Sequence, residues 1–438
     1  MLSDLARRIE DKSAVVSVIG LGYVGLPVAC MFAQAGFQTW GVDVAAERIA
    51  MLNAGKNPIE GKEPGLAELI ADVVGRGRLK CTTDYADLRD VDVVLVSVQT
   101  PIDEDDHLPR YAHLRAALTA LGAVLKCGAL VVIESTLAPG TVHKVVIPTL
   151  EASTGGKVGE AFFVGHCPER VMPGRLIHNL TNMDRVAGGW SPEVAEVMRL
   201  FYRNIVRGQI DTTDLLMAEL VKTTENAYRD VQIAFANEVA LVCEALGGDV
   251  WTLRELVNKS PGRVMLYPGA GVGGHCIPKD SWLLIANARD AVEAQVIPSA
   301  RAVNRAMPAH VASMAEAALI ECGVAIEHAV IAVLGYAYLA NSDDTRDTPS
   351  QAFIEIMRER AAEVRVHDPY VHEFNGDAAA VLRGADAAVI LVAHDEYVDA
   401  DWTAWIELLR TPVLIDARHV LPDGFRAPGA QVRVLGKG

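Results

Sequence analysis

Short apolar runs and amphipathic stretches alternate along this chain. Residues 14–19 (AVVSVI) form an apolar run that ends in glycines, a helical pattern follows at 26–35, and a second run, 39–42 (TWGV), closes on Asp43. Runs of this length bounded by glycine predict buried strands, so the segment reads strand, glycine turn, helix, strand. Further apolar runs at 91–98 and 129–133, with a helical stretch at 111–125 between them, continue the alternation. Strands that alternate with helices predict a parallel, doubly wound sheet, expected to occupy residues 1–205.

Neither proline nor glycine interrupts residues 212–246. The stretch predicts one long helix, capped by Thr212 or Thr213 and ended by Gly247-Gly248. Its apolar residues occupy much of the circumference, which predicts burial on more than one side. Packing against a second copy in a dimer and burial between two domains of one chain both satisfy that pattern. Beyond Pro308 a helix is predicted to run to 322, and apolar runs at 329–335, 363–367, 388–392 and 413–415 predict a second buried sheet. The fold class that results is α/β. Two Rossmann-like α/β domains, residues 1–205 and 309–438, are joined by a long central helix and a helical middle domain, residues 206–308.

Composition narrows the partners. A length of 438 residues, 51% of them hydrophobic, provides the apolar surface for two or three domains. The formal charge of -16, with no run of Lys or Arg, excludes an electrostatic nucleic-acid partner. No apolar run reaches the length that spans a bilayer, about 18 residues, and the N-terminus lacks an apolar signal core, so neither a membrane nor secretion is expected and the cytoplasm is. Seven scattered cysteines without a C-x-x-C pair fit a reducing compartment, and no metal site is expected.

The chemistry begins at Gly20-Leu21-Gly22-Tyr23-Val24-Gly25, a G-x-G-x-x-G turn between strand and helix. Its first glycine permits the tight turn, its second lets a pyrophosphate approach the backbone, and its third lets the helix pack on the strand. Asp43, at the end of the next strand, would accept hydrogen bonds from a ribose diol and repel a 2′-phosphate, which favours NAD over NADP. Thr100-Pro101 and Glu134-Ser135-Thr136 follow predicted strands and so lie at the carboxyl edge where such sheets bind ligands; in isolation they read as turn and cap residues. Lys222 and Asn226 share one face of the long helix, and the bland reading of Lys222 is a pair with a neighbour such as Glu219. Glu169 lies in a proline-bounded loop, PER. In GVGGHCIPKD, residues 271–280, Cys276 sits among glycines beside a lysine, surroundings that suit an ionised, attacking thiol better than a structural one.

Together these residues resemble the UDP-glucose/GDP-mannose dehydrogenase family, NAD-dependent enzymes that oxidise C6 of a nucleotide sugar by four electrons. The ordered matches are GLGYVGLP at 20–27, Thr100-Pro101, EST at 134–136, PER at 168–170, ELVKTTEN at 219–226, GGHCIPKD at 273–280 and DDTR at 343–346. The resemblance implies an NAD-binding Rossmann domain and a UDP-binding α/β domain flanking a long helix that forms a homodimer. It implies Cys276 as the nucleophile, Lys222 and Asn226 as oxyanion stabilisers, Asp280 as a base or water-orienting group, Glu169 as general base for thioester hydrolysis, and Thr136 as a holder of that water. The cofactor set it implies is Gly20, Gly22, Tyr23, Val24, Gly25, Asp43, Arg48, Thr100, Pro101, Ser135, Thr136 and, from the second sheet domain, Arg346. The sugar-nucleotide set is Glu169, Arg170, Lys222, Asn226, Arg263, Tyr267, Gly269, Gly273 and Lys279.

Three positions bear on the substrate. Pro173 stands where many UDP-glucose members carry an acid, His275 stands in their GG-S/Y-C motif, and CPERVMPG at 167–174 is similar to the members that act on UDP-N-acetylmannosamine. The implied reaction is therefore oxidation of UDP-N-acetyl-D-mannosamine to its uronate with two NAD, with UDP-N-acetylglucosamine and UDP-glucose as alternatives. Leu339 replaces the lysine of the family's G-x-A-F-K segment. A two-electron hydroxyacid dehydrogenase would also account for the first domain, but it needs neither Cys276 nor a second α/β domain.

Overall fold

The computed structural model describes residues 1–59, 63–170, 174–360, 363–422 and 424–438. Pro173 lies outside them. The chain divides into two compact units, Met1–Glu225 with Trp282–Glu293, and Asn226–Ser281 with Ala294–Gly438.

Among the described residues, the first unit is built on eight strands: β1 (Val15–Ile19), β2 (Gln38–Val42), β3 (Leu79–Thr82), β4 (Val93–Val96), β5 (Ala129–Ile133), β6 (Phe162–His166), β7 (Arg185–Gly189) and β8 (Ile210–Asp214). Their order is β3-β2-β1-β4-β5-β6-β7-β8. The pairs are parallel except β6 with β7, which is antiparallel. β4 and β5 are buried at every residue, as strands covered by helices on both faces must be, and this is why they read as unbroken apolar runs. The chain leaves β1 in one direction for β2 and β3 and crosses back to β4. That reversal opens a crevice at the carboxyl ends of β1 and β4. Helix Gly25–Gln34 packs there, and its Phe32 stacks on Phe201 with ring centroids 4.1 Å apart.

The second unit carries a five-stranded sheet of β9 (Val330–Leu334), β10 (Glu363–His367), β11 (Ala387–Ile390), β12 (Val413–Asp416) and β13 (Gln431–Val434). Its order is β10-β9-β11-β12-β13, parallel throughout. The α/β class with two Rossmann-like sheets and a long helix between them in the chain is thus as the sequence led us to expect.

Two boundaries differ from expectation. The long helix spans Leu215–Leu246, while Thr212 and Thr213 belong to β8, paired with Ala187 and Gly188 of β7. Their β-branched side chains suit the sheet, and Asp214 takes over the cap by accepting a hydrogen bond from the Met217 amide at 2.8 Å. The helix predicted to follow Pro308 instead runs Val296–Glu321 with Pro308 inside it. An interior proline costs a helix about 3 kcal/mol. A continuous buried stripe, Ala300, Met307, Val311, Ala315 and Leu319, packs both halves of this helix and outweighs that cost.

Inside the second unit one buried carboxylate organises three segments. Asp230, on the long helix, accepts hydrogen bonds from Arg301 (2.8 Å) and Asn304 (2.7 Å) of helix Val296–Glu321 and from Ser281 (2.8 Å) of helix Ile277–Ala286. Asn304 in turn accepts from Asn237 at 2.8 Å, and Asn237 accepts from the Gly269 amide at 2.9 Å. The network thereby holds both ends of the glycine-rich loop that leads into Cys276. Among the described residues, no helix is long and apolar enough to cross a membrane.

Candidate active site

In the first unit, the crevice between β1 and β4 encloses a cavity of about 520 Å³. Gly20, Gly22, Asp43 and Arg48 line it, together with Ser97 and Val98 after β4 and His113, Ala116, Ala117 and Ala120 on the following helix. The glycines behave as their positions in the motif require. Gly20 has φ +91°, and a Cβ there would lie 2.5 Å from the Ser97 carbonyl oxygen; a Cβ on Gly25 would lie 2.0 Å from the Gly20 carbonyl oxygen. A Cβ on Gly22 would meet nothing within 4 Å, so this is the backbone position left open to a phosphate. Asp43 is buried and braces the turn, accepting from the amides of Leu21 and Ala45 at 2.9 Å each, and Arg48 pairs with it at 3.0 Å. Tyr23, beside Val24 at the turn, donates its hydroxyl to Glu63.

Thr100 and Ser135 do not appear among the residues that line this cavity. The Thr100 hydroxyl donates to the Thr136 carbonyl at 2.8 Å, and the Ser135 hydroxyl to the Val98 carbonyl at 2.6 Å. The two loops at the carboxyl ends of β4 and β5 are therefore tied to each other, with the Pro101 carbonyl taken by the Arg110 amide at 2.8 Å.

Glu219 does not pair with Lys222. Its oxygens accept from the backbone amides of Gly140 and Val142 at 2.7 and 2.8 Å, and burial pushes its carboxyl up to about 7 against the pull of those amides. Lys222, itself buried, is left to another role. Glu169 is buried too, with Oε2 3.8 Å from the guanidinium of Arg185. Arg170 is held by Glu225 and by the Asp184 carbonyl at 2.8 Å.

In the second unit, Cys276 is exposed and immediately precedes helix Ile277–Ala286. Its carbonyl accepts the Asp280 amide at 2.8 Å, which makes it the residue that caps this helix. The first-turn amides and the helix dipole favour a thiolate at that position. Asp280 is fully buried, accepts from the Asn226 side chain at 2.6 Å, and has the Lys279 ammonium 3.7 Å from its other oxygen. The loop before the cysteine is packed without slack: a Cβ on Gly273 would lie 2.6 Å from the Tyr338 Cβ, and one on Gly274 would lie 2.8 Å from the Tyr338 ring. Arg346 donates to Asp344 (2.8 and 2.5 Å) and its carbonyl accepts the Gly274 amide at 2.9 Å, so DDTR frames the cysteine loop. Gly269 is also enclosed, a Cβ there falling 2.2 Å from Arg418, whereas Arg263 and Tyr267 are exposed and the Arg254 guanidinium lies 3.6 Å over the Tyr267 ring.

The sequence reading missed Arg185, Tyr338 and the helix face that carries His113, Ala116, Ala117 and Ala120. The last has a signal, since those positions share one face at helical spacing, but nothing in that spacing separates a ligand-facing stripe from a core-facing one. Arg185 and Tyr338 are brought to their sites by strands and loops remote in sequence.

No group of three or more His, Cys, Asp or Glu side chains capable of holding a metal ion occurs among the described residues. Three models of one family match in order along the chain: its NAD binding domain over residues 14–206, its central domain over 217–306 and its UDP binding domain over 332–423. The UDP-N-acetyl-D-mannosamine dehydrogenase of Pyrococcus horikoshii is 41% identical over 414 residues, covering 94% of this chain and 97% of that one. A solved structure of UDP-D-ManNAc dehydrogenase from P. horikoshii superposes with a TM-score of 0.91 at 40% identity, covering 97% of this chain and 99% of that one. The NDP-N-acetyl-D-galactosaminuronic acid dehydrogenase of Methanosarcina mazei Go1 does so with a TM-score of 0.88 at 36% identity, covering 100% and 98%. A nucleotide-binding crevice of the dinucleotide type, a cysteine capping a helix and a second α/β sheet thus coincide with family likeness along the chain. The chain belongs to the UDP-glucose/GDP-mannose dehydrogenase family, NAD-dependent dehydrogenases of nucleotide sugars.

Proposed function

We propose that this enzyme oxidises C6 of UDP-N-acetyl-D-mannosamine to UDP-N-acetyl-D-mannosaminuronate with two NAD. The observation that carries the sugar is the likeness to the P. horikoshii UDP-N-acetyl-D-mannosamine dehydrogenase, 41% identity along 94% of the chain. The turn 20–25, Asp43 and Arg48 hold NAD, whose chemistry is to accept a hydride in each of two oxidations. The protein's own residues do the rest. Cys276 Sγ adds to the C6 aldehyde and keeps it from escaping, Lys222 and Asn226 stabilise the oxyanion that results, and Asp280 holds the proton lost from the hydroxyl. Glu169 then takes a proton from the water that cleaves the thioester, with Thr136 positioning that water. Arg170, Arg263, Tyr267, Gly269, Gly273 and Lys279 bind the sugar nucleotide, Arg346 supports the cofactor, and Tyr23, Val24, Gly25, Thr100, Pro101 and Ser135 complete the cofactor loops.

The segments 1–205, 206–308 and 309–438 act in this reading as NAD-binding, dimerisation and UDP-sugar-binding domains of a cytoplasmic homodimer. Tyr228, Phe235 and Val242 recur every seven residues on the long helix and are 63%, 59% and 51% exposed. A two-turn apolar spacing on an exposed face is what a second copy would cover. The double variant Tyr228→Glu/Phe235→Glu is expected to halve the mass measured by light scattering, and an unchanged mass would refute this interface.

The test of the reaction is NADH formed at end point per sugar, across UDP-N-acetylmannosamine, UDP-N-acetylglucosamine, UDP-N-acetylgalactosamine and UDP-glucose. Two NADH per UDP-N-acetylmannosamine, with at least about tenfold lower kcat/KM for the others, is the expected result. Preference for another sugar overturns the substrate. One NADH per sugar overturns the thioester route and returns the two-electron dehydrogenase.

A further inference from the structure

The first unit contains a buried ionic cluster whose members the reaction above leaves mostly unused. Arg185, the first residue of β7, is 4% exposed and lies between two buried carboxylates, with Nη1 3.8 Å from Glu134 and Nη2 3.8 Å from Glu169. Its guanidinium carbon stands 5.0 Å over the ring of Tyr202, which is also buried. Glu134 is fixed in turn: its oxygens accept the hydroxyls of Tyr202 at 2.8 Å and Ser97 at 2.9 Å. Glu169 is not fixed in this way. Its Oε1 is buried without a hydrogen-bond donor, and both terminal nitrogens of Arg185 lack an acceptor at hydrogen-bonding distance.

A buried cation is a costly residue unless it is given something to hold. Here the strand supplies the backbone, Tyr202 supplies a π-face, and Glu134, itself anchored by two hydroxyls, supplies one counter-charge. The second counter-charge is Glu169, which has no hydroxyl or amide to hold its Oε1 in place. The other titratable groups of the cluster are the Cys167 thiol, which contacts Arg185 and Tyr202, and Glu134, whose carboxyl burial pushes up. His166, at the end of β6, turns its Nδ1 to the Ile133 carbonyl at 2.9 Å instead.

We infer that Arg185 is a positioning residue for thioester hydrolysis: set between Glu134 and Tyr202, its guanidinium holds Glu169 from the Oε2 side and leaves Oε1 as the proton acceptor. The inference rests on the reading of Glu169 as general base. In the step concerned, the water oxygen bonds to C6 as its proton passes to Glu169. The C6–S bond then breaks, its electron pair leaves on Cys276 Sγ, and the acid is released. The preceding hydride transfers make no use of Glu169, so loss of Arg185 has a selective consequence.

The test compares Arg185→Met, Arg185→Lys and Glu169→Gln, each supplied with NAD and the sugar nucleotide that the wild type turns over fastest. Arg185→Met is expected to lower kcat by about 10- to 100-fold with little change in KM. It is expected to accumulate a thioester on Cys276, visible as added mass on the acid-quenched intact protein. Arg185→Lys keeps the charge but gives up the fork that reaches both carboxylates, so the adduct is expected to accumulate in it as well. That variant carries the test if Arg185→Met does not fold. Absence of the adduct in whichever Arg185 variants fold, while Glu169→Gln accumulates it, overturns the role of Arg185 alone. Absence of the adduct in Glu169→Gln overturns the base assignment on which it rests.

Discussion

Cys276→Ala is expected to lower steady-state NADH formation by about 10³-fold or more while leaving sugar-nucleotide binding within a few-fold of wild type. The magnitude follows from what the thiol does. An aldehyde carbon does not readily give its hydride to NAD until a nucleophile has added to it and made it tetrahedral, and in the proposed mechanism addition of the thiolate creates that centre on the enzyme. The position of Cys276 immediately before helix Ile277–Ala286 favours the thiolate form, because the helix dipole places positive charge at its N-terminus. The exposed side chain makes little of the packing, so alanine should leave the fold intact. Rapid-quench measurement of NADH with intact-protein mass spectrometry checks both halves of the claim. Turnover within about tenfold of wild type, or a covalent sugar adduct on the alanine variant, would refute the nucleophile.

The second large effect is structural. Asp230→Ala is expected to destabilise the second unit by about 3–5 kcal/mol, because it strands Arg301 with its charge buried. Arg301 is 2% exposed and its Nη1 donates to Asp230 at 2.8 Å, so no solvent replaces the lost partner. For a unit of this size such a loss corresponds to a fall in melting temperature of about 10 °C, to be read by differential scanning calorimetry. The same substitution releases Ser281 and, through Asn304 and Asn237, the Gly269 amide. Both ends of the cysteine loop are loosened together, so kcat should fall alongside stability. The double variant Asp230→Ala/Arg301→Met removes both charges and is expected to recover at least half of the lost stability. A melting temperature within about 2 °C of wild type for Asp230→Ala would show that the network is not under load.

Much of this enzyme was legible in its residues because local geometry carries the signal. A glycine turn between a buried strand and a helix has few solutions, and Gly20, Gly22 and Gly25 occupy the one in which the second glycine is open to a ligand. Asp43 was placed by counting along the chain to the end of the next strand, and it lies there, braced by the Leu21 amide. Cys276 stood out through its neighbours, and those neighbours form the loop and helix start that frame it. Where the reading slipped, a longer-range force had overruled a local one. Pro308 reads as a helix boundary until the apolar stripe that packs around it is known, and Thr212 and Thr213 read as caps until β7 is there to pair with them.

The residues by themselves determined the α/β class and the dinucleotide turn with its acid, and they singled out Cys276 as the candidate nucleophile, because each depends on backbone conformations and side chains close together in the chain. Only the tertiary structure decided which charges meet. Glu219 faces two backbone amides and not Lys222, Asp230 gathers three segments, and Arg185 stands between Glu134 and Glu169. A buried charge takes its partner from whatever the packed elements bring within a few ångströms, and the packing of a parallel sheet joins residues that lie far apart in sequence.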